Sequence, residues 1–120
     1  MGLHTSTPIY KVTYDLLQLM LACVLNMPRN MKGTLGQDML RDCVTLVKLV
    51  YRANVAQGSR KVPHLDELIE LNETLTLCLR LCLDSRFISH GRYAAAVKLT
   101  SEIGKQAGGW RRKYASPPAA

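Results

Sequence analysis

The sequence predicts an all-α protein, a single domain over residues 1–120 that folds as an antiparallel up-down bundle of four helices. First, 19 leucines outnumber 7 aromatic residues, and leucine is a strong helix former. Second, four segments of similar length carry apolar residues at helical spacing, and short connections make neighbouring helices antiparallel. Third, the chain is 48 % apolar and 21 % charged, which excludes a disordered chain, a collagen and a coiled-coil rod.

The first helix is predicted over residues 7–27. Thr7 supplies a hydroxyl N-cap, and Pro8 suits the first helical position. Spacings of 4, 3, 4 and 4 place the following residues on one helix face: Lys11, Asp15, Gln18, Ala22 and Asn26. The most apolar stretch, 16–25, is shorter than the roughly 18 residues of a membrane span, and no basic segment precedes it as in a signal peptide. We therefore expect no membrane segment and a cytoplasmic protein, encoded by a bacterium or phage.

The second and third helices are predicted over residues 34–57 and 63–84. Thr34 and Gln37 have capping-box spacing. Pro63, Asp66 and Glu67 would occupy the first turn of the third helix, where the helix dipole favours anions. Alternating leucines over 75–83 are typical of a strand, but leucine is not β-branched and the pattern before them is helical, so a helix is favoured. The predicted core stripe of the second helix is Leu40, Cys43, Val47, Val50 and Asn54.

The fourth helix is predicted over residues 89–114, between loose tails at 1–6 and 116–120. Gly104, Gly108 and Gly109 lie inside it, where glycine costs about 1 kcal/mol relative to alanine. Close backbone packing would account for them. The predicted core stripe is Tyr93, Val97, Thr100, Ile103, Ala107, Trp110 and Tyr114.

The sequence indicates neither an enzyme nor a cofactor. A di-iron bundle needs Glu-x-x-His motifs, and none is present. No Gly-rich phosphate loop follows a strand, and no nucleophile–histidine pair is suggested. The cysteines fall inside apolar helical segments, which favours free thiols in the core over a metal site. A zinc site remains the alternative, with two thiolates four residues apart on one helix. The four cysteines are Cys23, Cys43, Cys78 and Cys82.

The charge distribution indicates an acidic partner. The net charge is +7, and a small basic domain binds nucleic acid, anionic lipid or an acidic protein face. Two rows of cations lie opposite the predicted core stripes, with spacing that suits phosphates. The rows are Arg41, Lys48 and Arg52 on the second helix, and Lys98, Lys105 and Arg112 on the fourth, extended by Arg111 and Lys113. No aromatic residue interleaves them, so we expect neither base stacking nor sequence readout.

The second half of the third helix is apolar nearly all round. A helix buries more than one face only against extra neighbours. Leu77 and Leu81 point away from the expected core. They predict an interface between copies of the chain.

Two motifs resemble the accessory variability determinant, Avd, of diversity-generating retroelements. The junction between the first two helices reads Met27-Pro28-Arg29, which is similar to the family's apolar-Pro-Arg junction. The fourth helix matches the family's Glu-apolar-Gly-basic-x-x-Gly-small-Trp pattern. The matching residues are Glu102, Ile103, Gly104, Lys105, Gly108, Gly109 and Trp110. The likeness covers residues 8–114 in segment order and length; proteins encoded in ribosomal RNA intervening sequences share the bundle shape.

The resemblance implies a cytoplasmic, non-catalytic accessory protein that forms a pentameric ring. It implies binding of RNA or DNA without sequence preference, and a partnership with the reverse transcriptase that copies a template RNA into mutated cDNA. Trp110 and the glycines would serve packing. The implied nucleic-acid contacts are Arg29, Arg41, Lys48, Arg52, Lys98, Lys105 and Arg112. The alternative function is a structural adaptor whose basic faces meet acidic protein surfaces.

Overall fold

The structure is a computed structural model that describes residues 7–115, and within that range it is helical without a strand. The predicted tails lie outside the described residues. A one-turn helix, α2 (Arg29–Met31), and a π-helical segment, Lys32–Gly36, lead into the second long helix, and a 3₁₀ turn, Gly58–Arg60, leads into the third. The four long helices are α1 (Pro8–Leu25), α3 (Gln37–Val55), α4 (Lys61–Asp84) and α5 (His90–Tyr114).

Side-chain caps fix the starts of the first and last helices. The Thr7 hydroxyl accepts a hydrogen bond from the Tyr10 amide at 3.3 Å, and Pro8 is the first residue of α1. The Ser89 hydroxyl accepts from the Arg92 amide at 3.1 Å. Each cap satisfies one of the amides that a helix start leaves without an intrahelical partner. The predicted start at Thr7-Pro8 is confirmed.

The starts of the two middle helices differ from the prediction. Thr34 lies inside the π-helical segment and donates to the Asn30 carbonyl at 3.1 Å, so the predicted capping box is wrong. The chain is already helical at Arg29, directly after Pro28. Helix α4 begins two residues before Pro63, which is tolerated because amides in the first turn have no intrahelical partner. Asp66 and Glu67, which were predicted in the first turn, consequently lie beyond it.

The long helices form a bundle in which α1 and α4 each pack against both α3 and α5. Helices α3 and α5 therefore occupy opposite corners. Leucine, methionine and small residues fill the centre. The predicted stripe of α3 is rotated: Cys43 and Val50 are buried, but Leu40, Val47 and Asn54 are half-buried. On α5, Tyr93, Val97, Trp110 and Tyr114 are likewise half-buried. The buried residues of these two helices are Met39, Cys43, Leu46, Leu49, Val50 and Ala53 on α3, and Ala96, Thr100, Ile103 and Ala107 on α5.

Helix α1 is long and apolar enough to cross a membrane. Its 18 residues have a mean hydropathy of 1.2, although no run of apolar residues alone reaches that length. In the structure the helix packs against α3 and α5 and buries one face. A core helix of a bundle can have the same length and composition, so length and hydropathy do not distinguish a core helix from a membrane span.

Candidate nucleic-acid interface

The cationic row of α5 faces outward. Lys98, Lys105 and Arg112 are exposed, opposite the buried Ile103, and within residues 7–115 none of them forms an ion pair. A seven-residue spacing corresponds to two turns, about 10 Å along the helix. The row therefore presents unneutralised charges at regular intervals, as binding to a phosphate backbone requires.

The sequence predicts close backbone packing at the glycines of α5, but the structure shows no close approach between helices there. A Cβ atom built on Gly104 would lie 3.5 Å from the Asn72 amide nitrogen, which is ordinary contact. At Gly108 and Gly109 the nearest atoms belong to the Arg112 guanidinium, at 3.5 and 3.7 Å. The small residues thus leave room for a side chain of their own helix. The Arg112 guanidinium lies beside these glycines along the surface of α5, where the residue remains exposed.

The row of α3 is also exposed, but one member is neutralised. Arg41 pairs with the Asp38 carboxylate one turn earlier in the same helix. Lys48 and Arg52 have no ion pair in the described part of the chain. Exposed pairs contribute little to stability, so Arg41 can exchange Asp38 for a phosphate.

The two rows face away from each other. Helices α3 and α5 are separated by α1 on one side and α4 on the other. A straight duplex that lies along the α5 row cannot reach the α3 row of the same protomer. Each protomer therefore offers two separate basic surfaces.

The remaining predicted contacts differ in their surroundings. Arg29 is exposed at the first position of α2. Arg111 forms an ion pair with Asp66 of α4, so it joins two helices. The Lys113 ammonium lies 5.5 Å from the centre of the Tyr114 ring. Of these three cations, Arg111 is the one whose charge is paired with a carboxylate in the described part of the chain.

Two further cations donate hydrogen bonds to carbonyls at helix ends, and sequence reasoning missed both. Arg92 donates to the Ala22 carbonyl in the last turn of α1 at 2.9 Å. Lys61 donates to three carbonyls at the end of α3 and lies beside two aromatic rings of α5. Cations near a helix C-terminus interact favourably with the helix dipole. These two residues hold the fold together and are not candidates for ligand contact.

Carboxylates concentrate on α4 and beside it. Asp66, Glu67, Glu70 and Glu73 are exposed. Glu67 and Glu70 also line the groove between α3 and α4, together with Asp42. Helix α4 therefore has an acidic face, which repels a phosphate backbone. Any nucleic acid bound at α3 must therefore lie on the side of that helix away from α4.

On that side the structure shows aromatic residues that our sequence reasoning missed. Tyr51 lies between Lys48 and Arg52 in the chain and is 49 % exposed, and Tyr14 of α1 is 43 % exposed. Both line the groove between α1 and α3 with Lys48. The prediction that no aromatic residue accompanies the cationic rows is wrong for α3. The signal was present as a second apolar face of α1, formed by Tyr10, Tyr14, Leu17 and Leu21.

The cysteine thiols are free and suited to packing. Cys23, Cys43 and Cys82 are buried, and Cys78 is half-buried. Burial raises the pKa of Cys43 to about 12 and that of Cys82 to about 11. Burial also raises the pKa of the Cys23 and Cys78 thiols. Thiols whose pKa is raised stay protonated near neutral pH and are poor nucleophiles, because the thiolate is the reactive form.

The two leucines predicted to contact another copy of the chain are exposed. Leu77 is 70 % and Leu81 50 % exposed on the outer face of α4. Both side chains therefore point away from the core, and their contact with another copy of the chain stays a prediction. The other large hydrophobic residues exposed in the described part of the chain lie on α1 and α3: Tyr14, Leu21, Leu25, Val44, Tyr51 and Val55.

Within residues 7–115, no group of three or more histidine, cysteine, aspartate or glutamate side chains is placed to hold a metal ion.

No curated protein and no solved structure matches the chain. A family model described as bAvd-like matches residues 8–114. This range includes both motifs noted in the sequence: Met27 is buried beside the exposed Arg29, and Ile103 is buried in α5. The match covers all four long helices and their connections, and the chain therefore belongs to the bAvd-like family and is an Avd-like protein.

Proposed function

We propose that this protein is a non-catalytic accessory subunit of a diversity-generating retroelement. It binds nucleic acid through its basic surfaces, and it associates with the reverse transcriptase to support mutagenic cDNA synthesis in the cytoplasm. The observation that carries this proposal is the α5 row. Lys98, Lys105 and Arg112 are exposed, regularly spaced and without an ion pair among the described residues.

Binding through this row depends on charge. Cations that neutralise phosphates release condensed counterions, so affinity falls linearly with the logarithm of salt concentration. Contacts to phosphates carry no sequence information. Affinity should accordingly fall steeply with salt and vary little with sequence.

The test is a salt titration of binding to unrelated RNA and DNA duplexes. A triple variant, Lys98→Glu, Lys105→Glu and Arg112→Glu, should weaken binding strongly and lower the salt slope by about three, roughly one for each lost phosphate contact. The helical content should persist, because exposed substitutions usually cost little stability. In the matched control, Glu70→Lys with Glu73→Lys, binding should not weaken. A flat salt response, or full binding by the triple variant, refutes the proposal.

We propose further that the protein is a homo-oligomer, a pentamer as in its family, with Leu77 and Leu81 of α4 at the contact. Leaving both side chains in water forgoes on the order of 1.5–3 kcal/mol each. Light scattering should give a mass several times 13.4 kDa for the wild type. The Leu77→Ser, Leu81→Ser variant should give a smaller mass. A wild-type monomer at micromolar concentration contradicts this assembly.

We also infer that the four helices run up and down in antiparallel order. Contacts join opposite ends of adjacent helices: Arg92, near the start of α5, reaches Ala22, near the end of α1. Cys82, near the end of α4, lies 3.7 Å from Met39, near the start of α3. This order sets the ends of α3 and α5 at the same end of the bundle.

The second candidate function is a protein–protein adaptor. The apolar residues exposed on α1 and α3 favour it, since exposed apolar patches mark interaction surfaces. Binding of reverse transcriptase and of nucleic acid, measured for the wild type and the α5 triple variant, distinguishes the two functions. If the enzyme still binds while nucleic acid does not, the two activities use different surfaces. If wild-type protein binds the enzyme and no nucleic acid, the adaptor is the correct function.

A further inference from the structure

The groove between α1 and α3 combines aromatic rings with cationic charge. It has a volume of about 360 Å³, and its apolar lining includes Leu17, Val44 and Val47. Tyr14 of α1 and Tyr51 of α3 stand at its sides, each nearly half exposed. The groove is therefore an accessible trough with aromatic side chains on both walls.

The rings on the α1 wall are arranged as a stack. Tyr10 and Tyr14 lie one turn apart, with ring centres 6.1 Å apart and planes inclined by 12°. Tyr10 is half-buried against the core, so its ring packs on one face of the Tyr14 ring and holds that ring in place. A tyrosine ring held in this way presents one face for stacking at little cost in conformational entropy.

The charge of this groove is positive. Lys48 lines it, and Arg52 follows Tyr51 directly on α3. No carboxylate of the described chain lines it. Carboxylates line the other three grooves. Asp42, Glu67 and Glu70 line the α3–α4 groove, Asp15 and Glu102 line the α1–α5 groove beside Lys98, and Glu73 lines the α4–α5 groove beside Lys105. Among these grooves between neighbouring helices, charge complementarity to an anion singles out the α1–α3 groove.

We propose that the α1–α3 groove binds single-stranded nucleic acid, with bases stacked on Tyr14 and Tyr51 and phosphates held by Lys48 and Arg52. The inference rests on the proposed function and specifies its ligand. Aromatic rings beside a cationic track are the recurring device of proteins that bind single strands. In a duplex the base faces are stacked on each other, so a duplex cannot use the tyrosines. The α5 row, which lacks exposed aromatic rings, serves either form by charge alone.

The decisive variant replaces both rings with an aliphatic side chain, Tyr14→Leu with Tyr51→Leu. It keeps the groove apolar and the charge unchanged but removes the stacking faces. Binding is measured by fluorescence anisotropy with labelled oligouridine, oligothymidine and a duplex of equal charge. Each lost stacking contact should weaken single-strand binding about tenfold, so the double variant should lose about 100-fold. Duplex binding should not change, and Tyr14→Trp with Tyr51→Trp should restore single-strand affinity.

The charge arm uses Lys48→Gln, with Lys11→Gln on the exposed face of α1 as the matched control. Lys48→Gln should weaken oligouridine and oligothymidine binding and reduce the salt slope by about one, and Lys11→Gln should leave both unchanged. Equal affinity for oligouridine and oligothymidine identifies a site that contacts only the base rings and the phosphates of its ligand. A preference for oligouridine assigns the groove to RNA through its 2′-hydroxyl groups, and the converse preference assigns it to DNA.

Two outcomes overturn the inference and leave the proposed function standing. In the first, the leucine double variant binds single strands like the wild type while the α5 triple variant loses duplex binding. In the second, the leucine or Tyr14→Ala, Tyr51→Ala variants change the mass measured by light scattering, which assigns the groove to contact between copies of the chain. If the wild type binds neither single strands nor duplexes, both the inference and the proposed function fail.

Discussion

Lys61 joins three helices through a single ammonium group. Its Nζ donates to the carbonyls of Ala53 at 2.9 Å, Asn54 at 3.2 Å and Ala56 at 2.7 Å, at the end of α3. The same ammonium lies 5.7 Å from the centre of the Trp110 ring and 5.2 Å from that of Tyr114, both on α5. Lys61 itself is the first residue of α4. Replacing it with methionine, Lys61→Met, keeps the length of the side chain and removes the charge.

The expected loss follows from these contacts. Hydrogen bonds from a charged donor contribute about 1.5–3 kcal/mol, and a cation over an aromatic ring adds about 0.5–1 kcal/mol. The contacts share one ammonium, so their energies do not add in full. Water also replaces part of the hydrogen bonding at a half-buried helix end. We expect Lys61→Met to lower the free energy of unfolding by about 2–3 kcal/mol, or the melting temperature by about 8–12 °C.

Urea denaturation followed by circular dichroism measures the loss, and the fluorescence of Trp110, the single tryptophan, reports the change beside its ring. Lys98→Met is the matched control, because Lys98 is exposed and has no ion pair within residues 7–115. It should alter stability by less than about 0.5 kcal/mol. If Lys61→Met unfolds at the same urea concentration as this control, the contacts at the end of α3 do not stabilise the bundle as argued.

Three further predictions concern stability. Gly36→Ala should destabilise by about 1–3 kcal/mol, because its Cβ would lie 2.8 Å from Val24 Cγ1, while Gly33→Ala, with nothing within 4 Å, should be neutral or stabilising in urea titrations. Burial of the protonated Cys43 thiol contributes stability that is complete below its ordinary pKa of 9.0 and is lost as pH rises toward its raised pKa of about 12. From pH 8 to 11, the free energy of unfolding should therefore fall less in Cys43→Ala than in the wild type. An identical pH profile contradicts the pKa shift. Asn72→Asp should lower the free energy of unfolding by more than about 3 kcal/mol above pH 6, because Asn72 Oδ1 is buried without a hydrogen-bond partner in the described chain and a carboxylate there would be uncompensated. Wild-type stability of this variant in the same assay would refute the burial argument.

The sequence alone determined that the chain is helical, where the first and last helices begin, and which way the charged faces point. Thr7-Pro8 and Ser89 supply caps whose partners lie three residues away, so local chemistry suffices. The row of Lys98, Lys105 and Arg112 faces away from the core because a period of 3.6 residues fixes the face of each residue on its own helix. Both features depend on residues within two turns of each other.

Tertiary packing decided how those helices are rotated and which neighbours they have. Leu46 and Leu49, not Val47, fill the core of α3, because α1 and α4 together bury a different arc of the helix from the one its own pattern favoured. The placement of α3 and α5 at opposite corners likewise divides the cations into two surfaces. Tyr14 and Tyr51 share a groove although 37 positions separate them in the chain. Spacing along one helix carries no information about contacts of this kind, since they depend on how whole helices fit together.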